Sequence, residues 1–83
     1  MKLTELPNIG PVIAEQLVSV GIETPQALAD CGAEQAWLKI KAVDSSACAN
    51  RLYGLEGAVL GIPKKKLPPE RVEELRAFYL AHK

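Results

Sequence analysis

Side chains able to do acid–base, nucleophilic or metal chemistry are few in this 83-residue chain: Cys31, Cys48, one histidine at His82, and scattered carboxylates. A catalytic site needs acid, base or nucleophile groups that converge, and these carboxylates fall on solvent faces of the predicted helices. The chain is therefore read as no enzyme. Two cysteines and one near-terminal histidine do not make up the four ligands of a structural zinc site, so no metal and no cofactor are expected. Cys31 and Cys48 are expected as reduced, buried, small hydrophobes rather than a disulfide, and His82 as a solvated end group. What remains is anion binding. Lys64, Lys65 and Lys66 form a compact cationic run, and the backbone amides of a tight hairpin at Asn8, Ile9, Gly10 and Val12 offer donors. A plainer reading of the lysines is also open, because cations just past a helix C-terminus answer its partial negative charge.

The hairpin belongs to the stretch around which the chain is organised, Leu6–Ile22 (LPNIGPVIAEQLVSVGI). Pro7 pushes Leu6 out of the α region, so a short helix over Leu3–Leu6 must stop there. Asn8 and Gly10 are residue types that accept positive φ, as a reversal within three or four residues requires. Pro11 suits a first helical turn. A helix over Pro11–Val20 then carries Ile13, Leu17 and Val20 on one stripe and Glu15, Gln16 and Ser19 opposite, and Gly21 closes it.

A short helix, an L-P-x-I-G-P turn and a second helix resemble the helix-hairpin-helix element, in which hairpin amides and a helix N-terminus hold a nucleic-acid phosphate. Asn8 stands where that element commonly has its first glycine, and no Lys or Arg lies between Val12 and Val20. The alternative use of the hairpin is to pack two helices together.

Hydrophobic residues at 48% and charged residues at 24% describe a chain that buries a core, and 83 residues describe a single domain, 1–83. No run approaches the roughly 20 apolar residues that span a bilayer, and the opening lacks the apolar segment of a secretory signal; a cytoplasmic location is expected. Net charge is zero but unevenly placed. Residues 1–38 carry one cation against five carboxylates, a balance of minus four, and residues 39–71 carry seven cations against three, a balance of plus four. An anionic ligand meets the later half more naturally.

Thr24-Pro25 is a helix start signal for a short helix over Pro25–Asp30, ended by Gly32. A third helix over Ala33–Ala42 brings Trp37 and Ile40 onto one face; Trp37 can stack on a base, but its spacing with Ile40 favours the core. Asp44, Ser45 and Ser46 offer caps for a fourth helix over Ser46–Leu60. Its apolar seam (Cys48, Leu52, Leu55, Val59) and its small-residue seam (Ala47, Asn50, Gly54, Gly57, Gly61) lie roughly 150° apart on a helical wheel, which makes it the central helix. Gly54 and Gly57 together cost roughly 2 kcal/mol of helix propensity, and close approach of another helix backbone is the expected compensation. The glycines continue a helical period, which argues against the phosphate-clamping loop of a KH domain. Ile62–Pro69 is a rigid, basic connection. Pro68 and Pro69 open a last helix with Val72, Leu75 and Tyr79 on its inner face, and with Glu73 and Arg76 able to pair across a turn.

The stretches LPNIGP, GAEQAWLKIKA, NRLYGLEGAVLG and LPPERVEEL resemble the C-terminal domain of the TfoX family, the bacterial regulators of competence and DNA transformation. The resemblance covers nearly the whole chain. It implies an all-α, compact bundle of about five helices beginning with a helix-hairpin-helix-like element, a role near gene regulation or DNA uptake, and no catalysis. Longer members carry a separate N-terminal domain that this sequence lacks.

Two binding functions follow as expectations. In one the chain is a small regulatory module that contacts DNA weakly through Asn8, Ile9, Gly10, Val12, Lys64, Lys65 and Lys66. In the other it is a protein–protein interaction module, or a self-associating one, whose acidic and basic halves meet a partner or a second copy. Zero net charge and a sequence pI near 6.6 weigh against the first, and the resemblance weighs for it.

Overall fold

Pro7 ends the first element where the sequence requires. The computed structural model describes residues 2–83 and opens with one 3₁₀ turn, Leu3–Glu5, after which the chain is extended at Leu6. Five α-helices follow: α1 Pro11–Ser19, α2 Pro25–Cys31, α3 Ala33–Val43, α4 Ala49–Leu60 and α5 Pro69–His82. A second 3₁₀ turn, Lys64–Lys66, joins α4 to α5. The fold is all-helical among the described residues.

The ends of the helices follow local chemistry. Prolines stand at the first positions of α1, α2 and α5, where a missing N–H costs nothing. The Thr24 hydroxyl accepts from the Ala27 amide at 3.0 Å and caps α2. After α1, Gly21 takes φ +89; its amide donates to the Val18 carbonyl at 3.0 Å and that of Ile22 to Leu17 at 2.8 Å. Gly61 repeats the arrangement after α4 at φ +75, with Ile62 donating to Gly57 at 2.9 Å. Both are left-handed closures that glycine enters without a Cβ penalty.

α4 begins three residues later than its sequence predicts. The Asp44 carboxylate accepts from the Ser46 amide at 3.0 Å and from the Ser46 hydroxyl at 2.5 Å, and the Ala47 amide donates to the Asp44 carbonyl at 3.1 Å. This local turn competes with helix over residues 44–47. Cys48 consequently becomes the residue before the helix and is exposed, whereas Cys31 is half-buried; both thiols are free. The expectation that both are buried fails for Cys48, because the apolar seam of α4 starts only at Leu52.

α4 is the central helix, packed against α2, α3, α5 and the Lys64–Lys66 turn. Leu52 and Leu55 are fully buried with Leu17, Leu28, Trp37, Ile40 and Leu75. Trp37 has no exposed surface; its indole N–H donates to the Cys48 carbonyl at 3.1 Å, and Tyr79 and Phe78 meet it edge-on at 5.7 and 6.1 Å between ring centroids. It is a core residue and no platform for a base. Lys41 lies over the indole, 5.6 Å from its centroid.

α5 is tied to the bundle by charge as well as by Leu75. Arg71 makes a two-pronged bond to Glu56 on α4, Nε to Oε2 at 2.9 Å and Nη2 to Oε1 at 3.2 Å, with Glu34 and Glu74 at 3.8 and 3.5 Å. Glu56 is buried, and its bond to Arg71 raises the guanidinium pKa above its ordinary value. The ion pairing of α5 thus falls on Arg71 rather than on the Glu73–Arg76 pair expected from spacing. His82 is not merely solvated. Its Nδ1 donates to the Phe78 carbonyl at 2.8 Å, and its ring stacks on Phe78 at 4.2 Å.

Candidate functional site

The hairpin is built by a single left-handed residue. Asn8 adopts φ +69, and no other non-glycine residue among those described has a positive φ. Gly10 sits at φ −90 and ψ 179, an extended conformation open to any residue, so the expected positive φ at Gly10 is absent. A side chain built at Gly10 meets nothing within 4 Å, which leaves its backbone open to solvent. Ile9 turns into the core, 5% exposed, and its amide donates to Leu6 at 3.4 Å. The first backbone bond of α1 runs from Ala14 to the Gly10 carbonyl at 3.0 Å. The amides of Val12 and Ile13 precede it, as at any helix start.

The Asn8 side chain joins this hairpin to the far end of α4. Its Nδ2 donates to the carbonyls of Gly54 at 3.3 Å and Ile62 at 3.1 Å, while its Oδ1 accepts from the Lys64 amide at 3.1 Å. Residues 46 to 56 positions apart in sequence are thereby fixed side by side. Lys64, Lys65 and Lys66 are all exposed. A cavity of about 270 Å³ lies between the hairpin and the first turns of α4, lined by Asn8, Ile13, Asn50, Arg51, Gly54 and Lys64 among others. Arg51 is held by Asp44 Oδ2 at 3.0 Å and Gln16 Oε1 at 3.3 Å, and Gln16 also donates to Asp44 at 2.7 Å. The Ser46 bonds, together with Arg51 and Gln16, hold the Asp44 carboxyl well below the usual carboxylate range.

Residues 1–79 match the family model described as the TfoX C-terminal domain. The chain belongs to that family. Protein Sxy of Escherichia coli strain K12 is 36% identical to this chain over 74 residues, which is 89% of this chain and 35% of Sxy. The chain therefore spans about a third of the length of that curated relative. Two crystal structures from Listeria monocytogenes, one of an uncharacterized protein in a triclinic form and one of a protein of unknown function in a tetragonal form, share 44% identity over 98% of this chain. They superpose with TM-scores of 0.97 and 0.95, over 92% and 99% of their own chains.

In this TfoX C-terminal domain the residues singled out from sequence are brought together in part. Asn8 and Lys64 touch through the clamp that the three Asn8 side-chain bonds form, and Gly10 and Val12 follow directly on the hairpin. The side chain of Ile9 is withdrawn into the core, and the polar groups of Asn8 are engaged inside the protein. Arg51 and Asn50 also stand beside the hairpin, although the sequence places Asn50 only on the small-residue seam of α4 and Arg51 only among the cations of the later half. Their position beside the hairpin depends on where α4 begins, which the Asp44 turn decides. A second, open apolar groove runs between the Leu3–Glu5 turn and α1, where Val12 and Val18 are 65% and 48% exposed.

Proposed function

We propose that this member of the TfoX C-terminal domain family is a small, non-enzymatic regulatory module that contacts nucleic acid. The observation that carries this reading is the Asn8–Lys64 bond. It unites the acidic half's hairpin with the basic half's lysines, which sequence alone leaves far apart. The Gly10, Val12 and Ile13 backbone and the exposed Lys64, Lys65 and Lys66 then serve one polyanionic backbone, the amides by the geometry of a helix start and the lysines as mobile point charges. With zero net charge over the chain, the contact is weak, sequence-blind and salt-sensitive. The carboxylates best placed for chemistry have structural partners, Glu56 with Arg71 and Asp44 with Arg51, which supports a binding rather than a catalytic role.

A second reading rests on the groove along α1. Exposed Val12 and Val18 beside Leu3 and Ala14 form an apolar surface of the kind that marks protein contacts, so the module would meet a protein partner or a second copy there. Fluorescence anisotropy with a labelled duplex, run beside light scattering on the same sample, separates the two. Duplex binding lost on joint replacement of Lys64, Lys65 and Lys66 by alanine supports the first reading. Concentration-dependent association without duplex binding supports the second.

A further inference from the structure

We infer that the cavity between the hairpin and α4 is a phosphate subsite that takes one phosphodiester group, with Arg51 as its fixed cation. The source of that phosphate rests on the nucleic-acid reading; the anion chemistry of the cavity does not. Arg51 and Lys64 both line it, and the Asp44 carboxylate that anchors Arg51 lies outside the lining. Arg51 is pinned through Nη1 alone, and among the described residues no acceptor takes its Nε or Nη2. Its planar fork therefore keeps donors for an anion while its position is already set, so little side-chain freedom is lost on binding.

The remaining walls fit a small anion better than a base or a whole nucleotide. Asn8 is immobilised by three hydrogen bonds, Gly54 brings no side chain, and Asn50 is exposed with an amide able to donate. None of the seven residues lining the cavity, Ile13 and Cys48 included, is aromatic, and Trp37 is sealed in the core, so nothing offers a stacking face for a base. The cavity volume is about 270 Å³. That admits a phosphate with the edge of its sugar and falls just below the usual range for larger ligands.

The test is a titration of ¹⁵N-labelled protein with inorganic phosphate against chloride at matched ionic strength, followed by the same titration with a short duplex. Phosphate should shift the amides of Asn50, Arg51, Gly54 and Lys64 saturably, and Arg51→Gln should weaken that binding by about tenfold, the scale of one charge-assisted hydrogen bond. Asn50→Asp is the second variant. It leaves the Asp44–Arg51 pair intact and places a carboxylate at the mouth, and it should abolish saturation. Saturation by phosphate without any duplex binding upholds the subsite and assigns it to free phosphate, against the nucleic-acid reading. Lysine-dependent duplex binding with the amides of Asn50, Arg51 and Gly54 unmoved, and with both variants binding phosphate and duplex as wild type does, overturns the subsite and leaves the nucleic-acid reading standing.

Discussion

Asn8 Nδ2 occupies the space that a side chain at Gly57 would fill. A Cβ built at Gly57 collides with that nitrogen and stands 2.6 Å from the Ile62 carbonyl oxygen and 3.2 Å from the Lys64 amide. At Gly54 the nearest atom to such a Cβ is Asn8 Cβ at 3.5 Å, an ordinary contact. Two glycines on one helical seam therefore answer different demands. Gly57→Ala should destabilise the protein by about 2 kcal/mol, because backbone must move, while Gly54→Ala should be neutral or stabilise it by up to ~1 kcal/mol through helix propensity. Chemical denaturation of the two variants checks the contrast. Equal effects would mean that the seam is a uniform packing face.

The clamp itself can be dissected at Asn8. Asn8→Gly keeps the left-handed backbone accessible and removes three hydrogen bonds, for an expected loss of about 2 kcal/mol. Asn8→Asp should cost more, since a carboxylate cannot donate to the Gly54 and Ile62 carbonyls. Urea unfolding of both variants gives the order; an aspartate variant as stable as wild type would contradict the bonding pattern.

These contacts show where sequence reasoning reached and where it stopped. Proline and glycine punctuation placed all five helices to within a few residues, since φ restriction and left-handed closure are local properties. Trp37 and Leu52 were legible as core from their spacing. The role of Asn8 was not, because its partners lie 46 to 56 residues away; sequence shows a residue tolerant of positive φ but not the carbonyls it meets. For the same reason the seam through Gly54 and Gly57 pointed to a packed helix, whereas the hairpin and the loop after α4 fill it. The late start of α4 follows from the competition between Asp44 and the helix for the amide of Ser46, which spacing alone does not decide. The approach of Arg51 to the hairpin depends on the same turn.

The Arg71–Glu56 bond should behave as a buried ion pair. Arg71→Ala leaves Glu56 buried without its main partner and should destabilise by about 3 kcal/mol. Replacing both together, as Glu56→Leu with Arg71→Met, should recover most of that loss. Thermal unfolding of the single and double variants measures the coupling, and additive losses would show that the pair contributes little.

Asp44 gives a pH signature. Its carboxyl is held below its ordinary value of 3.8 by Ser46, Arg51 and Gln16. A depressed folded-state pKa contributes stability that is full above the unfolded value and is lost as pH falls through the folded one. Wild type should therefore melt above Asp44→Asn near neutral pH, and the gap should close progressively below about pH 4. A gap that persists unchanged into strong acid would mean that the carboxylate's charge is not what the turn uses.

The salt dependence of duplex binding decides the nucleic-acid reading most directly. Three or four phosphate contacts predict that log affinity falls against log salt with a slope near −3, from roughly −0.9 per contact. Joint replacement of Lys64, Lys65 and Lys66 by alanine should lower that slope by about two to three units. No binding of labelled duplex at tens of micromolar protein in about 50 mM salt, where phosphate contacts count most, or a slope unchanged in the triple variant, would contradict it.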